Sequence, residues 1–255
     1  MAGCGGRKGD MAMNTVKLSR MGNTQLVAHR GLSGLEKENT CAAFVAAGNR
    51  SYFGIETDIH RTADDQYILI HDGETGRVAV DNLSVEGSPL AALREVAMTD
   101  IDGKVRGDLQ LPLPEEYLRI CKKYDKVAVL EFKGRYSKDM LTEVRGLVKK
   151  YHDEAHTIYI SFDYENLTAL RELTDEVQIQ YLCGDLTEEQ LQDMAARHIG
   201  VDAYFGSLSA EKVAHMHELG LVVNCWTVDD VETAQCLMGW GVDYITTDIL
   251  EFTDC

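Results

Sequence analysis

The amino-acid sequence predicts an α/β fold class, a (β/α)8 TIM barrel with a small insertion after the second strand. Three observations lead to this prediction. Short apolar runs alternate with amphipathic stretches from residue 24 onward, eight of these runs have strand character, and a length of 255 residues is typical of such barrels. An open doubly wound sheet is the alternative that the same alternation permits.

The strand and helix patterns follow one another in the order that a barrel requires. Strands are expected in the runs QLVAHRG, YFGIETDI, KVAVLEFKG, TIYISF, EVQIQYL, GVDAYF, LVVNCWTV and VDYITTD. Helical patterns, such as SKDMLTEVRGLVKKY and TEEQLQDMAARH, lie between them. One connection, residues 73–113, is longer than an ordinary loop and carries turns and a short helical pattern of its own. We expect this insertion to cap the site, because long connections near strand ends often do so.

The first 23 residues stand outside this alternation. They are rich in small and basic residues, and they lack the continuous apolar run of a secretory signal peptide. We expect residues 1–23 to be a disordered extension and residues 24–255 to form one barrel domain.

Composition and charge limit the partners of this protein. The net charge is −17, with 42 acidic and 25 basic residues, so the overall field repels nucleic acid and anionic membrane surfaces. An anionic substrate would therefore need a bound metal or a few converging cationic side chains. The sequence has no apolar run long enough for a membrane span. Its seven cysteines are scattered and form no Cys-x-x-Cys pair, as in a cytoplasmic protein with reduced thiols. The oligomeric state is left open.

Chemically active side chains are expected at the carboxyl ends of the strands, where barrels build their catalytic sites. The candidates are His29 and Arg30 after the first strand, Glu56 and Asp58 on the second, His71 beyond it, and Glu131 and Lys133 on the third. Side chains alternate along a strand, so Glu56 shares a face with Asp58 and Glu131 shares one with Lys133. Three converging carboxylates would repel one another, and the pattern therefore predicts a hard divalent cation. Separate salt bridges to Arg or Lys are the alternative.

Two histidines among these candidates suit proton transfer. His29 follows the apolar run LVA and His71 follows ILI, so each imidazole emerges from a strand into the rim. Such a pair suggests one acid and one base, and the sequence does not assign the two tasks. The other histidines are interpreted as structural hydrogen bonders: His60, His152, His156, His198, His215 and His217. No Cys or His cluster has the spacing of a zinc site.

An ordered set of motifs resembles the glycerophosphodiester phosphodiesterase family. The chain contains HRG and ENT within AHRGLSGLEKENTCAAF, then E-x-D, T-x-D, HD and E-x-K in the family's order. The similarity reaches the C-terminus through NCWTVDD and GVDYITTD. Two positions depart from the family pattern: Lys37 replaces a proline, and Asp65 replaces the glycine of T-x-D-G. A left-handed or turn conformation is expected at Asp65, because its short polar side chain tolerates one.

The resemblance implies a role for each matching position. It implies that Glu56, Asp58 and Glu131 bind one divalent cation, Mg or Ca with Mn possible, and that His29 and His71 are the general acid and base. It also implies that Arg30, Lys133 and Asn39 hold the phosphate, and that Trp226 contacts substrate at the end of the seventh strand. A core indole is an equally good interpretation of Trp226. Thr40, after Asn39, is expected to cap the first helix.

The implied activity is metal-dependent hydrolysis of a small-molecule glycerophosphodiester to glycerol 3-phosphate and an alcohol. The attacking oxygen could be water or the substrate's own hydroxyl group. A lysophospholipase D is one alternative, and the apolar residues of the insertion would then line an acyl groove: Val78, Val80, Leu83, Val85, Leu90 and Leu93. A catalytically inactive barrel used as a binding module is another, which the intact histidines and carboxylates disfavour.

Overall fold

Eight parallel strands close into a barrel in the computed structural model, which describes residues 14–253. The strands, numbered along the chain, are β1 (Val16–Leu18), β2 (Gln25–Ala28), β3 (Gly54–Arg61), β4 (Tyr67–Leu69), β5 (Val127–Phe132), β6 (Thr157–Ser161), β7 (Gln178–Cys183), β8 (Gly200–Tyr204), β9 (Val223–Trp226), β10 (Tyr244–Thr247) and β11 (Leu250–Phe252). The barrel closes because β2 pairs in parallel with both β3 and β10. The predicted (β/α)8 barrel is confirmed, and the doubly wound alternative is wrong.

Helices follow the barrel strands and cover the outside of the sheet. They are α1 (Cys41–Gly48), α2 (Leu90–Arg94), α3 (Pro114–Lys123), α4 (Lys138–Tyr151), α5 (Tyr164–Leu173), α6 (Glu188–Ala196), α7 (Ala210–Glu218) and α8 (Val231–Trp240). Six of them begin after a residue whose side chain accepts a hydrogen bond from a first-turn N–H: Thr40, Ser137, Asp163, Thr187, Ser209 and Asp230. Each cap stabilises its helix by about 1 kcal/mol. Within residues 14–253, none of these helices has the length and apolarity needed to cross a membrane.

The strand residues divide into two layers because alternate side chains point to opposite faces. Outward-facing residues pack against the helices in the larger core, where the stacked rings of Phe132 and Tyr159 lie 5.6 Å apart. The barrel interior has a smaller apolar cluster: Val27, Val129, Ile158, Ile160 and Leu182. Polar side chains occupy the rest of the interior, so the inside of the barrel is where binding and catalysis can be placed.

The insertion after β3 packs around an apolar cluster of its own. β4 pairs antiparallel with β3, and Asp65 in the turn between them has φ of 59°, which confirms the expected left-handed conformation. Val78, Val85 and Leu93 are buried in the insertion's cluster, whereas Val80 is 62% exposed. Most of the apolar residues considered for an acyl groove therefore stabilise the insertion itself.

The N-terminal segment differs from its expected disorder where the structure describes it. Within residues 14–23, β1 pairs in parallel with β11, and the ammonium group of Lys17 lies 2.8 Å from the carboxylate of Glu251. Leu18 is fully buried. The run VKL is too short to predict a strand by itself, and its hydrogen-bond partner comes from the other end of the chain. Residues 1–13 lie outside the described residues.

Candidate active site

The carboxyl ends of the barrel strands open into a cavity of about 140 Å³. Six of the residues assigned from the sequence line it: His29, Arg30, Glu56, His71, Glu131 and Trp226. Asp58, Asn39 and Lys133 contact this group from below or beside it through the hydrogen bonds and ion pairs described next. The structure thus brings all of the predicted site residues to one end of the barrel.

Three carboxylates form the centre of the site. Glu56 and Asp58 lie on β3, Glu131 lies on β5, and the strand register places Asp58 directly beside Glu131. One oxygen from each carboxylate lies within 4.8 Å of the other two, and all three side chains are buried. Oδ1 of Asp58 has no hydrogen-bond partner among the described residues, although the ammonium group of Lys133 lies 3.3 Å away. This donor set fits a divalent cation bound by oxygen.

Burial and mutual repulsion strongly shift the pKa values of these carboxyl groups. Burial, with Asp58 and Glu131 nearby, raises the pKa of Glu56 well above its usual range. Burial, with Asp58 nearby, also raises the pKa of Glu131 to about 7. Burial opposes ionisation of Asp58, but Lys133 and Arg30 lower its pKa to about 2. Negative charge is therefore concentrated on Asp58, and full ionisation of all three groups requires an additional cation.

Arg30 is fixed to the triad by its backbone and its side chain. Its φ of 53° is left-handed, and this conformation directs its N–H group to Oε2 of Glu56 at 2.8 Å. Its guanidinium donates to Oε1 of Glu38 at 2.9 Å, and its Nε lies 3.7 Å from Oδ2 of Asp58. Lys133 donates to Oε1 of Glu131 at 2.8 Å. Both cations therefore lie beside the carboxylates, where an anionic group could reach them.

The side chain of Asn39 lies against β3, beside a carboxylate of the triad. Its amide donates to Oδ2 of Asp58 at 2.8 Å, and its carbonyl oxygen accepts from the Thr57 hydroxyl at 2.6 Å. Asn39 is not part of the cavity lining. These contacts let it orient a candidate metal ligand, and its contact with the phosphate stays a prediction. The left-handed φ of 49° at Asn39 makes the hydrogen bond to Asp58 possible.

His29 is held by an aspartate at the end of the last barrel strand. Its Nδ1 lies 2.7 Å from Oδ1 of Asp248, which also accepts from the Ser33 hydroxyl at 2.8 Å. Burial would raise the pKa of Asp248, but these hydrogen bonds and the charge of Arg30 lower it. A carboxylate at Nδ1 leaves Nε2 as the nitrogen for proton transfer. The sequence reasoning missed Asp248, although it ends the strand run VDYITTD and the same rim rule applies to it.

His71 belongs to a chain of hydrogen bonds that passes through the insertion. Its Nδ1 lies 2.6 Å from Asp72, and Arg77 donates to Asp72 at 2.6 Å and to Glu38 at 2.9 Å. Glu38 in turn accepts from Arg30, so the network joins the two sides of the cavity. Burial lowers the pKa of His71, which favours the neutral imidazole. Arg77 was also missed, because nothing in its local sequence marks it.

Trp226 is partly a wall of the cavity and partly a core residue. Its indole N–H donates to the carbonyl oxygen of Asp202 at 3.0 Å, and its ring packs on the interior cluster. Its ring centroid lies 5.6 Å from that of Phe162 and 6.0 Å from that of Tyr204. Trp226 therefore lines the cavity and packs on the interior, and its contact with substrate stays a prediction. The three rings define an aromatic edge on the β6, β8 and β9 side of the cavity.

Four of the remaining histidines form hydrogen bonds away from the chemistry of the cavity. The contacts are His60 to the carbonyl of His71, His152 to the carbonyl of His156, His215 to Glu188 and His217 to Asp243. These contacts agree with a structural interpretation.

The model of the Glycerophosphoryl diester phosphodiesterase family matches residues 29–251. The chain belongs to this family. A relative named glycerophosphodiester phosphodiesterase, from Caldanaerobacter subterraneus subsp. tengcongensis, is 26% identical over 229 residues, which cover 88% of this chain and 94% of the relative. Membership of the glycerophosphoryl diester phosphodiesterase family makes the chain a phosphoric diester hydrolase by class.

Solved structures of the family show the same fold. A glycerophosphodiester phosphodiesterase from Parabacteroides distasonis gives a TM-score of 0.75 at 26% identity, covering 90% of this chain and 94% of the other. A phosphodiesterase from Oleispira antarctica, in complex with the product sn-glycerol-3-phosphate, gives a TM-score of 0.80 at 21% identity, covering 88% and 92%. The barrel fold of this chain is thus also found in solved structures.

Proposed function

We propose that this chain hydrolyses small glycerophosphodiesters to glycerol 3-phosphate and an alcohol, with a divalent cation and two histidines. The observation that carries this proposal is that Glu56, Asp58 and Glu131 have oxygens within 4.8 Å of one another at the cavity that His29 and His71 line. The product in the Oleispira antarctica structure supports the substrate class.

Glu56, Asp58 and Glu131 would hold the cation. Carboxylate oxygens suit Mg or Ca, with Mn possible, and they suit zinc less well. When bound, the ion supplies positive charge that neutralises the phosphodiester and stabilises charge on its oxygens. The unpartnered Oδ1 of Asp58 is the observation that supports this fit.

Arg30 and Lys133 provide the positive charge that belongs to the chain itself. They flank Asp58 at 3.7 Å and 3.3 Å, and both are largely buried. Fixed cations in a partly dry cavity stabilise a phosphate more effectively than mobile surface charges do. These two residues would therefore bind the non-bridging oxygens of the diester, and they explain how a chain with a net charge of −17 accepts an anion.

The two histidines would exchange the protons of the reaction. Each has Nδ1 on a carboxylate, Asp248 for His29 and Asp72 for His71, so each offers Nε2 to the substrate. One deprotonates the attacking oxygen, and the other protonates the departing alcohol. The attacking oxygen is that of water or of the glycerol hydroxyl group.

One observation favours a second candidate function, lysophospholipase D. Phe162 and Tyr204 are 52% and 47% exposed at the mouth of the cavity, next to Trp226, and an acyl chain could lie on these rings. The acidic net charge opposes approach to an anionic bilayer, so a water-soluble diester is the favoured substrate.

A substrate panel tests the proposal and separates it from the alternative. Glycerophosphocholine, glycerophosphoethanolamine and lysophosphatidylcholine below its micellar concentration are assayed with Mg or Ca and with excess chelator. We expect faster hydrolysis of the first two and loss of activity in chelator. Full activity in chelator would refute the metal requirement, and a clear preference for the lysolipid would replace the proposed function.

The histidine tasks are separated by leaving-group chemistry. His29→Ala and His71→Ala are each expected to lower turnover by roughly two to four powers of ten. A nitrophenyl leaving group needs no protonation, so this substrate should rescue the variant that lacks the acid and not the variant that lacks the base. Equal behaviour of both variants on both substrates would contradict the division of labour.

A further inference from the structure

Opposite the carboxylate triad, β7 to β10 each contribute one buried polar side chain to the barrel interior. They are Gln180, Asp202, Asn224 and Thr246, and all four are buried. The amide of Asn224 donates to Gln180, and the hydroxyl of Thr246 donates to Asn224, each at 3.3 Å. Barrel interiors are usually filled by branched apolar residues, so a polar group on four neighbouring strands requires a reason.

Asp202 and Gln180 each have a buried polar atom without a hydrogen-bond partner among the described residues, and of the two Asp202 lines the cavity. Its side chain is 1% exposed, and its Oδ1 has no hydrogen-bond partner within residues 14–253. Asp202 nevertheless lines the cavity that His29, His71 and Glu131 share. Leaving a buried polar oxygen without a partner is destabilising, and such groups commonly mark a place where a ligand completes the bonding. Burial raises the pKa of Asp202 well above its usual range, in keeping with this unsatisfied environment.

The chemistry of Oδ1 determines what it can bind. A carboxylate oxygen accepts a hydrogen bond, and a protonated carboxyl group can also donate one, so a hydroxyl group, which does both, can meet Oδ1 in either state. The phosphodiester group offers acceptors alone, and its place is beside Arg30 and Lys133. A glycerophosphodiester has its donors in the glycerol hydroxyl groups. The oxygens that lie within 4.8 Å of one another come from Glu56, Asp58 and Glu131, and Asp202 is not one of that set.

The surroundings of Asp202 are shaped for a small alcohol. Ile160, Leu182 and Trp226 form apolar walls of the cavity. The indole N–H of Trp226 donates to the backbone carbonyl oxygen of Asp202. A mostly apolar pocket with one convergent polar atom fixes the orientation of a small ligand. The carbon skeleton of glycerol would contact the apolar walls while one hydroxyl group meets the acceptor.

We propose that Asp202 is a substrate-binding residue that accepts a hydrogen bond from a hydroxyl group of the glycerol moiety. This inference rests on the proposed function and adds the residue that selects glycerol. A diester without hydroxyl groups would leave Oδ1 unpaired inside the cavity. The penalty of an unpaired buried group is a strong source of discrimination between substrates.

The test compares two ligands on two proteins in the presence of saturating Mg or Ca. Glycerol 3-phosphate and propyl phosphate share the phosphate and the three-carbon chain, and the second lacks both hydroxyl groups. Calorimetric binding to the wild-type chain should favour glycerol 3-phosphate by about tenfold, which corresponds to 1.4 kcal/mol. Asp202→Val should reduce this preference to less than about threefold, while binding of propyl phosphate stays within about twofold of wild type.

Two further variants keep the test decisive. Asp202→Asn retains a carbonyl oxygen at this position, so it should keep most of the preference for glycerol 3-phosphate. The comparison can be made with this variant if Asp202→Val fails to fold or binds weakly. Thr246→Val removes a hydroxyl that already has a partner in the same cavity, so it should keep the wild-type ratio of the two affinities. The inference would be overturned if Asp202→Val lost affinity for both ligands equally, or if the ratio of the two affinities stayed at its wild-type value.

The result is separable from the proposed function. If the wild-type chain hydrolyses no glycerophosphodiester but its preference for glycerol 3-phosphate depends on Asp202, the proposed reaction is wrong and the role of Asp202 in binding is supported. If hydrolysis is normal and the preference does not depend on Asp202, the reaction stands and the inference falls.

Discussion

Replacing Glu131 by glutamine should stabilise the metal-free protein. The pKa of Glu131 rises from an ordinary value of 4.5 to about 7, because the group is buried next to Asp58. That rise corresponds to about 3 kcal/mol of unfolding free energy, which is present below pH 4.5 and is lost as the pH increases through 7. Glutamine has nearly the shape of the neutral carboxyl group and does not ionise, so the variant keeps this stability at high pH. For a chain of this size, we expect the melting temperature at pH 8 to rise by about 6–12 °C.

The assay is thermal melting of chelator-treated wild type and Glu131→Gln at pH 5, 6, 7 and 8, followed by addition of Mg or Ca. The variant's advantage should grow with pH, and the metal should stabilise wild type far more than the variant, because the ion binds the folded triad. Glu251→Gln is the matched control. Burial would raise the pKa of Glu251, but Lys17 and Thr15 lower it, so this variant should melt below wild type at neutral pH.

Two results would refute this reasoning. A Glu131→Gln protein that melts below metal-free wild type at pH 8 would show that ionised Glu131 is stabilising. An advantage of equal size at pH 5 and pH 8 would show that its origin is not the charge.

Three further predictions concern activity. Asp248→Asn should lower kcat by roughly two or more powers of ten in steady-state assays, because His29 loses the carboxylate that fixes its tautomer, and a loss below threefold would contradict that role. Arg77→Met should lower kcat roughly tenfold with little change in melting temperature, since Asp72 loses its partner, and an unchanged kcat would exclude the network from the reaction. Phe162→Ala should raise KM for lysophosphatidylcholine more than for glycerophosphocholine, and equal effects would show that the aromatic edge does not bind acyl chains.

The carboxylate triad could be predicted from the sequence because its determinants are local. Two-residue alternation puts Glu56 and Asp58 on one face of β3, and the barrel rule places Glu131 on the neighbouring β5. The register then sets Asp58 beside Glu131. Asn39 shows the limit of this reasoning: its position near the site was predicted, whereas the hydrogen bond from its amide to Asp58 depends on the left-handed backbone at Arg30 and Asn39.

The supporting residues could not be predicted because their partners are distant along the chain. His29 meets Asp248 at a separation of 219 residues, and Glu38 meets Arg77 at a separation of 39 through the fold of the insertion. Asp202 was missed for a different reason. Within the run GVDAYF, Asp202 has the pattern of an ordinary strand residue. That its Oδ1 has no hydrogen-bond partner depends on the three-dimensional packing of the barrel interior.

The pairing of β2 with β10 affects when this protein can become active during its synthesis. His29 emerges early from the ribosome, whereas Asp248, which holds its Nδ1, follows β10 near the end of the chain. A nascent chain that stops before β10 has an unclosed barrel and a His29 without its carboxylate. Closure of the sheet and the meeting of His29 with Asp248 are therefore a single late event in the folding of the chain.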